Sequence, residues 1–285
     1  MKKNTLLFFA ILMLTTLNLS FSKAERNYYI QLYSVRDEIP HDVKGTLEKL
    51  AKIGCAGVEA ANYSDGKLYG LTPEEFKKDV EATGMTVLSS HIGKSLNANI
   101  EQTNWDEIWK WWDTAIAAHK AAGMRYIVTP SMPSNLKTLK DLKSYCDYFN
   151  KIGEKCNAAG IRFGYHNHSY EYVEIEGKRM YDFMLENTDP TKVFFEMDVF
   201  WTIMGGQSPV DYFNKYPGRF ELLHIKDNKE LGQSGMVGFD AILNNLDKAG
   251  TKEIVVEVEQ YNYTPIESIK RSLDYLKKLE KELKN

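Results

Sequence analysis

One unit recurs along this chain and constrains its fold more than any other feature. It is an amphipathic helix, a glycine, one or two connecting residues, then a short apolar strand. It is written in LEKLAKIGCAGVEA, FKKDVEATGMTVLSSH, AIAAHKAAGMRYIVTP, CNAAGIRFGYHNH and NNLDKAGTKEIVVEVEQ. Gly54, Gly84, Gly123, Gly160 and Gly250 stand where each helix must stop, and glycine takes the left-handed backbone conformation of a helix end without strain. The runs that follow are β-rich and mostly apolar, as strands covered on both faces must be. Adding YYIQLYSV, KVFFEMDVFW and RFELLHIKD gives eight strands with helices between them. That alternation predicts a parallel sheet, and eight units in roughly 260 residues predict a closed (β/α)8 barrel. The competing architecture is an open doubly wound sheet, but no glycine-rich phosphate loop follows the first strand. Ile266, Ile269, Leu273, Leu276, Leu279 and Leu283 recur at helical spacing and predict a closing amphipathic helix.

The first residues, MKKNTLLFFAILMLTTLNLSFS, place Lys2 and Lys3 before an apolar run and small polar residues. This is the layout of a secretory signal peptide over 1–22, followed by a single barrel domain over 26–285. An exported, periplasmic protein is expected, with no stable membrane insertion after cleavage, because the apolar run is short of the roughly 20 residues a span requires. A formal net charge of -3 provides no global basic field for nucleic acid. The three cysteines, Cys55, Cys146 and Cys156, lack metal-ligand spacing and read as packing residues.

Barrel enzymes draw their catalytic groups from the C-terminal ends of strands. Here those ends read Gln31, Glu59, His91, Thr129, His166 with His168, Glu196 with Asp198, His224 with Lys226, and Glu257 with Glu259. A polar residue at one strand end merely meets solvent; at every strand of one barrel, the ends converge on a common mouth. Strand parity puts Glu196 with Asp198, and Glu257 with Glu259, on shared faces. Two carboxylates about 4 Å apart at an effective dielectric near 20 repel by about 4 kcal/mol. Lys226, raised carboxyl pKa values or a divalent cation would relieve this. Mixed imidazole and carboxylate donors suit Zn, Mn, Co or Fe better than Ca, and His166, Asp198, His224 and Glu259 are the leading ligand candidates. Glu196 and Glu257 lie two residues deeper and read as partners of Arg or Lys. His91 belongs either to the core or to a ligand, while His41 and His119 read as solvated. Trp105, Trp109 and Trp112 share helical spacing and read as core; Trp201, just after Asp198, is placed to stack on a sugar.

The sequence resembles the sugar phosphate isomerase/epimerase family of xylose isomerase-like TIM barrels. The resemblance rests on QLYSVRD (31–37), GVE (57–59), SSH (89–91), YHNHSYEY (165–172), FEMDVFW (195–201), LLHIKD (222–227) and VEVEQY (256–261). It implies one divalent metal held from the last four strands, with Asp198, His224 and Glu259 in three places. The first place, commonly glutamate, holds His166 here, with Glu171 the other candidate for it. His168, Glu171, Lys226 and Glu257 are then the candidates for proton transfer, and Gln31, Glu59, His91 and Trp201 for substrate contact.

The implied chemistry is removal of a proton next to a carbonyl of an unphosphorylated keto sugar, followed by isomerisation or epimerisation. β-Elimination or hydration of a 3-keto-glycoside shares the first step. A non-catalytic sugar-binding barrel is the alternative from another class. The related multi-zinc DNA-repair endonucleases are disfavoured by the acidic balance and the few histidines.

Overall fold

The computed structural model describes residues 26–284; the expected signal peptide lies outside the described residues. Eight parallel strands build the barrel: β1 (Tyr28–Gln31), β2 (Gly57–Ala60), β3 (Thr86–Ser90), β4 (Tyr126–Thr129), β5 (Arg162–His166), β6 (Val193–Asp198), β7 (Leu222–Lys226) and β8 (Glu253–Glu257). Their ladder runs β3-β2-β1-β8-β7-β6-β5-β4. The ring is completed between β3 and β4 by a bridge of His91 to Val128, with Ile92 N–H donating to Val128 O at 2.9 Å. Around the strands run α1 (Val43–Lys52), α2 (Pro73–Glu81), α3 (Trp105–Ala121), α4 (Leu139–Ala159), α5 (Met180–Asn187), α6 (Val199–Met204), α7 (Pro209–Lys215), α8 (Phe239–Asn244), α9 (Leu246–Ala249) and α10 (Pro265–Leu283).

The helix-ending glycines behave as their spacing requires. Gly54, Gly84, Gly123, Gly160 and Gly250 all have φ between 76° and 95°. Two expected strands stop early. YYIQLYSV leaves the sheet after Gln31, whose side chain accepts from Tyr33 N–H and starts a 3-10 turn. KVFFEMDVFW ends at Asp198, whose carboxylate accepts from Trp201 N–H at 2.9 Å and caps α6. A cap of this kind satisfies a helix N–H that would otherwise be orphaned.

The apolar residues divide into two bodies. The larger lies between sheet and helices; the smaller comprises Tyr29, Leu88, Tyr126, Val128, Phe194, Leu222 and Val255. Strand alternation puts this smaller set inside the barrel, and two residues further along the same faces come Gln31, Glu196, His224 and Glu257. The barrel is therefore plugged with hydrocarbon below and lined with polar groups above. Large rings fit the plug because small residues face them: a Cβ at Gly164 would lie 2.5 Å from the Phe194 ring.

The helices correct two expectations. His119 is fully buried rather than solvated, with its Nδ1 2.6 Å from Ala115 O and its ring 4.9 Å from that of Tyr63. Of the α3 tryptophans only Trp112 is core, donating Nε1–H to Tyr148 OH at 2.6 Å, while Trp105 is exposed and Trp109 half-buried. The three cysteines are buried and free, as their spacing implies. In α10, Ile269, Leu273 and Leu276 are fully buried, and Leu283 at the helix end is exposed.

Two stability tests follow. Gly164→Ala should destabilise by roughly 1–3 kcal/mol through overpacking against Phe194, read as a lower urea midpoint at unchanged slope; an unchanged midpoint would contradict the plug. Burial pushes the His119 imidazole down to about 4 from 6.5. The unfolded chain then takes up that proton first, so stability is complete above pH 6.5 and falls by about 3 kcal/mol as pH drops through 4. His119→Gln should flatten this part of the stability-versus-pH curve, and parallel curves for the two proteins would refute the assignment.

Candidate metal centre

The polar upper layer is bonded across five strands and the β3 end. On β1 and β2, Gln31 Nε2 donates to Glu59 Oε1 at 2.8 Å, and Ser89 Oγ on β3 donates to Glu59 Oε2 at 2.6 Å. The β2/β3 register shifts between Val58 and Glu59, the extra residue being Leu88 on β3, which brings Ser89 opposite Glu59. His91 Nε2 lies 3.0 Å from Glu59 Oε1 and 2.8 Å from Glu196 Oε2. Glu196 Oε2 is also 3.3 Å from His166 Nδ1, which stands 3.1 Å from His224 Nδ1. Asp198 Oδ2 is 3.9 Å from both His166 Nε2 and His224 Nδ1. On the far side, Lys226 Nζ donates to Glu257 Oε2 at 2.8 Å and also to Glu259.

Burial sets the charge state of these groups. It pushes the Asp198 carboxyl up to about 8, with Lys226 opposing that rise. It pushes Glu257 upward too, again against Lys226. Burial also drives His166 and His224 well below the ordinary imidazole range, leaving neutral rings with a lone pair each. His91 goes the other way: burial alone would lower it, but the Glu59 and Glu196 carboxylates hold it well above that range. Lys226 is likewise held above its ordinary value, because Glu257 and Asp198 outweigh burial.

The donors fit a divalent cation. Asp198 Oδ2, His224 Nε2 and Glu196 Oε1 are buried without a hydrogen-bond partner, an arrangement that is costly unless something else engages the group. Donor atoms of Asp198, His224 and Glu257 lie within 4.8 Å of one another, and so do those of His91, His166, Glu196 and His224. Neutral imidazoles with carboxylates suit Zn, Mn, Co or Fe.

The sequence-expected residues divide by position. His166, Asp198 and His224 converge. Glu259 lies outside both donor sets, half-exposed at the rim against Lys226, and Glu257 is the β8 carboxylate within one of them. A cavity of about 310 Å³ opens above, lined by His91, His166, His168, His224, Lys226, Glu257 and Glu259. Gln31 and Glu59 are fully buried behind His91 and absent from its wall. Glu171 is fully buried as well, pushed up to about 7 by burial; it accepts from Tyr165 OH at 2.6 Å and from His168 N–H at 2.8 Å. Trp201 is half-buried beside the mouth, its ring 5.3 Å from Lys226 Nζ and 5.8 Å from the His168 ring. Tyr33, Pro130 and Ser131 also line the cavity; they follow strand ends in loops whose course no sequence periodicity reveals. Glu196 bonds two histidines rather than the Arg or Lys expected of it, and its parity with Asp198 was the available signal.

Comparison with known proteins agrees with the barrel fold. Residues 47–279 match the family model described as xylose isomerase-like TIM barrel. The crystal structure of a sugar phosphate isomerase/epimerase from Parabacteroides distasonis is 34% identical, with a TM-score of 0.81, covering 88% of this chain and 98% of that one. The IolI protein with a bound zinc atom is 15% identical, with a TM-score of 0.69, covering 89% of this chain and 97% of that one. Inosose dehydratase of Geobacillus kaustophilus is 22% identical over 213 residues, 68% of this chain and 66% of that enzyme, so the match spans just under two thirds of its length. Two of these relatives are named for enzymatic activities, and the chain belongs to the xylose isomerase-like TIM barrel family.

Proposed function

We propose that this protein is a divalent-metal-dependent sugar isomerase or epimerase acting on an unphosphorylated keto sugar. The observation that carries the reading is the convergence of Asp198, His224 and Glu257, with His166 beside them, beneath an open cavity. Those four residues would hold the ion. A bound divalent ion supplies Lewis acidity to neighbouring sugar oxygens, which acidifies the adjacent C–H.

The chain's own groups supply the proton traffic. His168 lines the cavity and its Nδ1 has no partner, so this ring is placed to accept the proton. Burial pushes it down to about 4, which keeps it neutral but makes it a weaker base, leaving the acidified C–H to supply the driving force. Glu171 holds its backbone N–H from behind and stays out of the cavity. Lys226 keeps its charge between Glu257 and Glu259 and offers an N–H to a sugar oxygen. Trp201 supplies a flat ring at the edge. Return of the proton to the other face of the same carbon is epimerisation; return to the adjacent carbon is isomerisation.

Two features support a neutral substrate. Lys226 is the one Lys or Arg lining the cavity among the described residues, and two carboxylates already engage it. Arg36, nearby, is committed to Tyr33 O, Tyr261 OH and Glu259 O. Export through the leader over 1–22 would place the enzyme in the periplasm, away from the cytoplasmic pool of sugar phosphates. The inosose dehydratase relatives favour a second reading, loss or addition of water or an aglycone on a 3-keto-glycoside after the same proton removal.

Incubating the metal-loaded protein with keto sugars and keto-glycosides in D2O separates these outcomes. Deuterium at one carbon of a ketose marks isomerisation or epimerisation, and release of an aglycone marks elimination. Activity confined to a sugar phosphate would overturn the neutral-substrate reading. Metal removal gives a further expectation: Asp198→Ala and His224→Ala should each lose both bound metal and turnover. In the native protein a metal concentration one hundred times its Kd should add about 2.7 kcal/mol of stability, visible as a higher Tm. Full turnover by a metal-free variant would contradict the mechanism.

A further inference from the structure

We propose that a second cavity, on the outer side of β4, is a subsite for an aromatic aglycone, so that the keto sugar is bound as an aryl glycoside. The subsite rests on the keto-sugar reading above, taken in its glycoside form. The second cavity has a volume of about 110 Å³ and adjoins the one of about 310 Å³ over the donor cluster. Pro130 and Ser131 belong to the walls of both. From the β3 end, His91 lines the first cavity and Gly93 the second. Two residues of chain span at most about 7 Å, a step that one sugar ring and its glycosidic bond cover.

Strand alternation places this cavity. Tyr126 and Val128 fill the barrel, so Thr129 turns outward, toward α3 and α4. Those helices supply a floor of rings: Trp112 from α3, and Tyr145, Tyr148 and Phe149 from α4. The polar atoms of the floor are already engaged. Trp112 Nε1–H donates to Tyr148 OH at 2.6 Å, and Tyr148 OH donates to Lys94 O at 2.8 Å. The Tyr145 hydroxyl bonds to the Leu96 backbone. What the floor offers an occupant is therefore hydrocarbon and ring surface.

The wall adds one hydroxyl that nothing engages. Thr129 is 5% exposed, and its Oγ1 is buried without a hydrogen-bond partner. A void left by imperfect packing is apolar. This one has the Thr129 hydroxyl in its wall and reaches the surface at Gly93, Ser95 and Ser131, all exposed. Lys94 is the one charged residue lining it among the described residues, and its Nζ is 3.3 Å from Glu107. The matching occupant is flat, mostly apolar and uncharged, with one group that hydrogen-bonds a hydroxyl. An apolar cavity of about 150 Å³ takes benzene; this smaller one, open at its rim, admits a single phenolic ring and not a second sugar.

Two 3-keto-glucosides that differ only in aglycone, 4-hydroxyphenyl and methyl, test this with the metal-loaded protein. The native protein should favour the aryl glycoside in kcat/KM by about 10- to 100-fold, the worth of burying one ring. Thr129→Val, which keeps the shape and loses the hydroxyl, should reduce that preference about 3- to 10-fold. Gly93→Leu should abolish it, because a Cβ there lies 3.3 Å from Thr129 Cγ2 and the side chain fills the cavity. Thr129→Val provides the reading if Gly93→Leu does not fold. Phenol alone gives a measurement independent of turnover: it should shift the Thr129 methyl resonance of the native protein. Equal kcat/KM for the two glycosides in the native protein would overturn the proposal. So would a loss in Thr129→Val shared equally by both glycosides, which marks a structural role. If phenol shifts the methyl resonance but no keto sugar or keto-glycoside is turned over, the metal-dependent function fails and the aryl site stands. If keto sugars are turned over while phenol leaves that resonance unmoved, the function stands and the aglycone subsite fails.

Discussion

The mouth of this barrel is organised by the cost of keeping carboxylates dry. Glu59, Glu196 and Asp198 are fully buried and Glu257 nearly so, within one layer of side chains. An isolated buried carboxylate neutralises or finds a partner, since the desolvation penalty amounts to several kcal/mol per ion. Here three solutions stand side by side. Glu59 takes hydrogen bonds from Gln31 and Ser89 and shares His91 with Glu196. Glu257 pairs with Lys226. Asp198 has one oxygen on the Trp201 N–H and the other without a partner. The unsatisfied oxygen is the point at which the site departs from a purely structural network.

That arrangement depends on the hydrocarbon layer beneath it. Tyr29, Tyr126, Val128, Phe194, Leu222 and Val255 fill the lower barrel, so water reaches the polar layer only from the open end. Gly57 and Gly164 make room for the rings of Tyr29 and Phe194, each at a distance no Cβ would tolerate. The same packing that stabilises the barrel therefore lowers the dielectric around the carboxylates above. It also keeps His166 and His224 neutral, which is the form able to donate a lone pair. Stability and chemistry are coupled through one stack of side chains.

How much of this the sequence discloses varies with the range of the interaction. Helix-ending glycines and apolar strands are local signals, and all five glycines and all eight strands occupy the places they predict. Convergence of His166, Asp198 and His224 follows from parity on neighbouring strands. The choice between Glu257 and Glu259 does not, because it depends on where β8 stops: the strand ends at Glu257, and Glu259 lies beyond it, half-exposed against Lys226. His119 escaped because its burial comes from Tyr63, in the hairpin after β2, which no pattern within α3 reveals. Glu196 was read as an Arg or Lys partner because parity gives its face and not its neighbour across the barrel. Partner identity is long-range information, and it is the part that single-sequence periodicity leaves out.

The place where the family resemblance implies a glutamate is the point at which this chain sets its own electrostatics. With His166 there, the set of His166, Asp198, His224 and Glu257 carries two negative charges when its carboxylates are ionised, enough to balance a divalent cation without excess. Lys226 and Glu259 then offset each other at the rim. A carboxyl group nonetheless stands close by: Glu196, the register partner of His166 on the neighbouring strand, has Oε2 3.3 Å from His166 Nδ1. Glu196 is fully buried and does not line the cavity. His168, two residues on from His166 and proposed above to take the proton, lines the cavity with its backbone N–H anchored by buried Glu171 and its ring stacked 5.8 Å from that of Tyr170. On the proposed function, the pairing of histidines in YHNH would be a division of labour, His166 toward the cation and His168 toward the sugar.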